Sequence, residues 1–258
     1  MQDIIVEKQN GVTYIRLNRP TVYNSFNRNM ALEVQSALDE CQHDATVRCV
    51  VLTGNGKAFS AGQDLNEVVA PDGPSLPTIL REHYNPIISK IRSLQKPVVA
   101  AVNGVAAGAG ANIALSCDIT IAATSASFIQ AFSKIGLIPD SGGTYFLPRL
   151  IGLQRATALA MLGEKIIAND AVSMGLIFKA VPDDMLHAQV AQLAEQLAQM
   201  PTKALWYTKH AINQSLYNNL DQQLAVEDEL QYAAGLTHDY HEGVQAFLEK
   251  RKPVFVGN

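Results

Sequence analysis

Lys96-Pro97-Val98-Val99-Ala100-Ala101-Val102-Asn103-Gly104-Val105-Ala106-Ala107-Gly108-Ala109-Gly110-Ala111 runs from a buried strand through small residues toward a helix. Residues 97–102 are apolar at every position, which indicates a strand covered on both faces. Ala111-Asn112-Ile113-Ala114-Leu115 is compatible with a helix. The same order recurs upstream, where Cys49-Val50-Val51-Leu52-Thr53 ends in Gly54 and leads to a second small-residue loop, Ala58-Phe59-Ser60-Ala61-Gly62-Gln63-Asp64-Leu65. Ile119-Thr120-Ile121-Ala122-Ala123 is a third strand of this kind. Helices separate the strands. Asn27 is placed to cap one over about 28–43, where Met30, Leu32, Val34, Ala37 and Leu38 recur at helical spacing. Another passes through Ile79, Tyr84, Ile87, Ile88 and Ile91, with Pro86 expected to kink it. Buried strands alternating with helices predict an α/β layered core.

Outward from that core, Ile4-Ile5-Val6 and Val12-Thr13-Tyr14-Ile15-Arg16-Leu17 flank Asn10-Gly11 and read as a hairpin. Beyond Gly152 the pattern turns helical, over 153–163, 168–175 and 184–199, with a short strand at Lys179-Ala180-Val181. Pro201 opens a helical tail over 202–217, 219–235 and 239–249. Its apolar positions (Leu205, Trp206, Ile212, Leu224, Leu230, Tyr232, Phe247, Leu248) need a covering surface, either the core or another subunit. The expected division is a catalytic core over 1–200 and an oligomerisation region over 201–258.

The chain has 258 residues, 48% hydrophobic and 17% charged, with a formal net charge of −4. That length carries a substantial core. The charge and the lack of a basic run argue against nucleic acid. No apolar run approaches the roughly 20 residues of a bilayer span, and the opening residues lack a secretory pattern. Cys41, Cys49 and Cys117 have no metal-type spacing and read as small buried hydrophobes. A cytoplasmic protein without a metal is expected.

Two loops of small residues, each following a strand, let a ligand approach the backbone closely, and a helix start there offers unpaired N–H groups. Two such loops can aim two donors at one oxygen. Taken singly, either is equally a tight turn packed against the sheet. The second loop carries no Walker lysine or early dinucleotide fingerprint. Downstream, Gly136-Leu137-Ile138-Pro139-Asp140-Ser141-Gly142-Gly143-Thr144 sets an aspartate between apolar residues and a Gly-Gly pair. Apolar surroundings raise a carboxylate's pKa and make it a usable proton carrier. An N-cap for the helix containing Thr144, Phe146 and Leu147 is the competing role for Asp140.

These segments, with Leu17-Asn18-Arg19-Pro20, Asn24 and Cys117-Asp118, occur in an order and spacing that resemble the crotonase, or enoyl-CoA hydratase/isomerase, superfamily. The resemblance covers almost the whole chain. It implies a spiral of ββα units followed by a helical trimerisation region, and an acyl-CoA substrate with no separate cofactor. It implies that the main-chain N–H groups of Gln63 and Ala109 hold the thioester oxygen, so that the side chain of Gln63 matters little. It also implies that Ala61, Asp64 and Leu65 line the coenzyme A site through backbone groups, with Arg19 as a phosphate contact. A homotrimer or dimer of trimers is expected.

Departures from the pattern narrow the chemistry. The two glutamates with which hydratases of the family activate water are replaced by Asn112 and Phe132, so hydration by that pair is not expected. An aspartate at the Asp140 position moves protons in other members, which points to isomerisation of an epoxide or a double bond. A dienoyl-CoA isomerase would carry a second acid at the Phe132 position. An aryl-CoA dehalogenase would carry a tryptophan near Asp140, whereas Trp206 lies in the tail. A non-catalytic CoA-thioester-binding protein is the alternative of another class. Of the six histidines only His83 lies near a site loop, and it reads as a surface or helical residue.

Overall fold

The computed structural model describes residues 2–258. Strands β1 (Ile4–Gln9) and β2 (Val12–Leu17) form the expected antiparallel hairpin. Asn10 and Gly11 turn it with φ of 52° and 77°, the left-handed pair whose twist suits a two-residue hairpin. Strands β3 (Cys49–Gly54) and β4 (Ala58–Ser60) follow, then β5 (Val98–Val102), β6 (Val105–Ala107), β7 (Ile119–Ala123), β8 (Ser127–Ile129), β9 (Lys165–Ile167) and β10 (Lys179–Val181). One sheet has the order β1-β2-β3-β5-β7-β10, parallel beyond the hairpin, and a smaller one has the order β4-β6-β8-β9. In the pairs β3/β4, β5/β6 and β7/β8 the chain therefore lays a long strand in the large sheet, then a short one in the small sheet. That repetition is the spiral of ββα units. Every residue of β3 and β5 is buried, as their unbroken apolar runs require.

The helices are α1 (Arg28–His43), α2 (Leu65–Val68), α3 (Leu76–Thr78), α4 (Asn85–Ser93), α5 (Ala109–Ser116), α6 (Gly143–Leu162), α7 (Ala168–Ser173), α8 (Leu186–Ala198), α9 (Thr202–Ser215), α10 (Leu220–Gly235) and α11 (His238–Glu249). Asn27 caps α1 as expected, its side chain accepting from the Met30 N–H. Gly152, at φ 76° and ψ 161°, breaks α6 in two.

Two expectations change. The small-residue stretches at 58–65 and 103–111 are not loops throughout, because β4 and β6 lie inside them. Three-residue strands of Ala, Phe, Ser and Val show too few alternations to be read by period. Pro86 does not simply kink its helix. The turn before it, Ile79–Tyr84, is a π-helix joining α3 to α4. Proline has no N–H to offer the carbonyl four residues back. The Glu82 carbonyl, with that of His83, instead accepts from the Gln35 side chain of α1, at 2.7 and 3.1 Å.

The first tail helix is tied to the core. Lys209 of α9 is buried, and its Nζ donates to the Ile91 carbonyl at 2.7 Å and to Asp118 Oδ2 at 2.8 Å. Helix α10 buries no residue of its own in this single chain. Leu220, Leu224, Tyr232, Phe247 and Leu248 of α10 and α11 stand exposed.

Candidate active site

Residues 24–26 and 60–64 are built around Asn24, fully buried and at φ 53°, a left-handed conformation that asparagine adopts more readily than most side chains. Its Oδ1 accepts from the Arg19 N–H, its Nδ2 donates to the carbonyls of Asn55 and Ala58, and its own carbonyl accepts from Ser60 Oγ. Ser60 Oγ in turn accepts from the Gly62 N–H. Phe26 then pairs with the strand edge. Its N–H donates to the Gly62 carbonyl at 2.7 Å and its carbonyl accepts from the Asp64 N–H at 2.8 Å. In an extended segment successive N–H groups face opposite sides, so pairing 62 and 64 with Phe26 turns the Gln63 N–H away from it.

The second loop comes close on that other side. A methyl group on Gly62 would lie 2.9 Å from the Ala107 carbonyl and 3.4 Å from the Ala109 nitrogen. Gly62 has φ +88°, so both space and conformation demand glycine. Gly108 sits at φ 53°, ψ −128° and starts α5, leaving the Ala109 N–H in its first turn. Among the described residues, neither the Gln63 nor the Ala109 main-chain N–H donates to another protein group. The structure thus brings the two expected donors into adjoining loops with both N–H groups free.

Asp140 joins them through α5. Asn112, three residues past Ala109 and fully buried, donates from Nδ2 to the Asp140 carbonyl at 2.8 Å, and its Oδ1 accepts from Gln130 Nε2 at 2.8 Å. The Gly143 N–H donates to the same carbonyl. The main chain of Asp140 is therefore held by two donors, while among the described residues its carboxylate accepts only from Ser141 Oγ, at 2.8 Å. Burial pushes the carboxyl above its ordinary value, and the Ser141 bond opposes this. The capping role falls away, because Gly142 is the N-cap of α6 and no side chain caps it. Ser141 and Gly142, at φ 50° and 76°, make a left-handed pair that aims this turn.

Phe132 is buried, with Cζ 3.8 Å from where a methyl on Gly108 would stand. An apolar ring thus borders the turn before Ala109. Ala61 and Leu65 stand open at the surface. Asp64 caps α2 through the Asn66 N–H and pairs with Arg19 Nη2 at 3.0 Å. The expected phosphate contact, Arg19, thus stands at the edge of the 61–65 loop. Its guanidinium also donates to the Ser25 carbonyl at 2.6 Å, so its charge is matched within the protein and braces the loop. Of the two readings of His83, surface or helical, the helical one holds. His83 is 1% exposed, and among the described residues neither ring nitrogen has a partner.

The enoyl-CoA hydratase/isomerase family model matches residues 7–258. The chain belongs to that family. Within it, the chain is 48% identical to the 1,2-epoxyphenylacetyl-CoA isomerase of Escherichia coli K12, over all of this chain and 99% of that one. It is 50% identical to a Rhodobacter capsulatus protein described as "Probable enoyl-CoA hydratase", over 97% of this chain and 96% of the relative. A crystal structure of enoyl-CoA hydratase from Bacillus anthracis superposes with a TM-score of 0.93 at 36% identity, covering 100% of both chains. The crotonase-type fold expected from the sequence is thus observed. Tyr84, Glu67 and Gln130 frame the site, and the sequence marks none of them as a site residue, Tyr84 showing only as an apolar helix position. Each is an ordinary helix or loop residue until folding brings it to Gln63 or Asn112.

Proposed function

We propose that this chain is an acyl-CoA isomerase that holds its substrate's thioester oxygen between the Gln63 and Ala109 N–H groups and moves a proton with Asp140. The observation that carries this is a part-buried carboxylate, paired with no cation among the described residues and raised in pKa, on a turn tied to the helix that presents a free N–H. A proton alpha to a thioester is acidic only if the enolate oxygen is stabilised as charge develops, which preorganised N–H donors do. Asp140 takes that proton and returns it elsewhere on the acyl group. A carboxylate whose pKa is raised toward neutrality suits both halves of the transfer.

The 1,2-epoxyphenylacetyl-CoA isomerase relative supports a ring-epoxide thioester as the substrate, opened to the seven-membered oxepin, a step of aerobic phenylacetate degradation. Coenzyme A enters as part of the substrate, laid along Ala61, Asp64 and Leu65, with Arg19 beside Asp64 as a phosphate contact. The second relative's description favours hydration as the other reading. Against it stands Asn112, whose amide is engaged with Asp140 and Gln130 and carries no proton-exchanging group. An assay panel of ring-epoxide, 3-enoyl and 2-enoyl CoA thioesters separates the readings. Isomerisation of the first two without hydration of the third is expected, and efficient hydration of a 2-enoyl thioester would overturn the proposal.

The exposed apolar residues of α10 and α11 support assembly through residues 201–258, as a trimer or a dimer of trimers in the cytoplasm. Light scattering at micromolar concentration is expected to give a mass of three or six chains, and a stable monomer would contradict this.

A further inference from the structure

Gln63 was expected to serve only through its main chain, yet its side chain is held at both ends. Gln63 Oε1 accepts from the Tyr84 hydroxyl at 2.8 Å. Gln63 Nε2 donates to Glu67 Oε2 at 3.0 Å. The second carboxylate oxygen, Glu67 Oε1, accepts from the main-chain N–H of Arg28 at 2.8 Å. The π-turn that ends at Tyr84 and α2 thus meet on one amide, and the first turn of α1 holds Glu67 in place behind it.

Tyr84 is built to hold still. It is fully buried, and its ring meets Phe26 edge-on, with centroids 5.8 Å apart at 63°. Phe26 is the residue whose main chain clamps Gly62 and Asp64. The same tyrosine therefore packs on the main-chain clamp of Gln63 and bonds its side chain. The π-turn supplies the aim. A π-turn inserts one residue into a helix and re-aims the side chains beyond it, and the Gln35 amide satisfies the carbonyls of Glu82 and His83 in that turn. Burial, with the Asp140 carboxylate as the largest nearby charge, pushes the Tyr84 phenol well above its ordinary value, so it stays a neutral donor.

We propose that Tyr84 is a positioning residue for the thioester-binding loop, holding the Gln63 N–H in its direction through the Gln63 side chain. This rests on the reading that the Gln63 N–H binds the thioester oxygen. The Gln63 N–H shares a rigid peptide plane with the Gly62 carbonyl, which the Phe26 N–H holds from one side. Anchoring the Gln63 side chain to Tyr84 and Glu67 adds a second restraint on residue 63, which limits tilting of that plane before substrate arrives. Preorganised donors act on the transition state, so a loosened donor lowers kcat more than it raises KM.

The test is steady-state isomerisation by Tyr84→Phe, Gln63→Met, the double variant and Ala109→Pro, each with its melting temperature and its affinity for coenzyme A. Tyr84→Phe keeps the ring and removes only the donor. Its kcat is expected to fall about tenfold with KM within about twofold, the size of a small misplacement of a catalytic group. In the Gln63→Met background the same change is expected to add nothing, because the route through the amide is already gone. A melting temperature that falls while kcat per folded molecule holds would reduce Tyr84 to a structural residue and overturn the inference. So would an undiminished effect of Tyr84→Phe beside Gln63→Met. Ala109→Pro separates the two levels. If it folds, binds coenzyme A and loses kcat while Tyr84→Phe does not, only the positioning role falls. If it turns over like the wild type, the thioester-binding loop itself is misplaced and the positioning role falls with it.

Discussion

Asp118 and Asp140 both sit on turns beside α5, both part-buried, and the protein treats them in opposite ways. Asp118 is surrounded by donors: Lys209 Nζ at 2.8 Å, Arg92 Nη1 at 3.2 Å and the Val98 N–H at 2.8 Å. It joins α4, β5 and α9, and so fastens the tail to the core. Asp140 receives two donors on its carbonyl and only a serine hydroxyl on its carboxylate. The first arrangement uses a charge to hold elements together. The second holds the main chain firmly and leaves the charge without a cation, which is how a group is kept ready to exchange a proton.

Asparagine at each position separates the two uses, and this is the largest effect expected. Asp140→Asn should lower isomerase turnover about 10²–10⁴-fold, the usual loss for a general acid–base group. Its stability should hold or rise at neutral pH. The sign follows from the raised carboxyl. The folded state binds that proton more tightly than the unfolded chain, so ionised Asp140 is a cost above the raised value that vanishes as pH falls through it. Asp118→Asn should do the reverse. It leaves the buried Lys209 ammonium without its counter-charge and should cost about 3 kcal/mol in denaturant unfolding. Turnover per folded molecule should stay near wild type. A turnover loss in Asp118→Asn that matched Asp140→Asn would erase the distinction between the two carboxylates.

The smallest effect concerns a third buried polar group that neither bonds nor pairs. His83 has both ring nitrogens unpartnered, and burial lowers its pKa. A group depressed in the folded state leaves the unfolded chain binding more protons, so stability falls as pH drops below the ordinary histidine value of about 6.5. His83→Leu should flatten that acid-side loss and be neutral or stabilising by up to about 1 kcal/mol at pH 7, since it removes an unsatisfied polar group. Thermal melts of both proteins between pH 5 and 8, about the range in which histidine titrates, check this. Parallel curves would show that the ring is satisfied in solution.

What was legible in the sequence followed from periodicity and from local rules. The runs at 49–53, 98–102 and 119–123 are apolar throughout because the strands they form are buried on both faces, and Asn27 announces α1 because a cap acts within four residues. Asp140 stood out through its apolar neighbours. Its freedom from capping did not, because that depends on Gly142 taking the cap and on Asn112, 28 positions away, holding its carbonyl. The pairing of Arg19 with Asp64 was hidden for the same reason, since Asp64 lies 45 residues on. The short strands β4 and β6 escaped because they are defined by pairing with each other and not by pattern. Tyr84 was read as one more apolar helix position, and only the π-turn gives it a direction.

The central claim is that Asp140 alone carries the proton, and the pH dependence of kcat/KM for isomerisation tests it most directly. The wild type is expected to show an acid limb governed by one group whose pKa lies above the ordinary aspartate value of about 3.9, since the ionised carboxylate is the active form. In Asp140→Asn the residual rate should carry no such limb. An acid limb that survives in Asp140→Asn, or a wild-type limb at or below the ordinary aspartate value, would show that another group moves the proton.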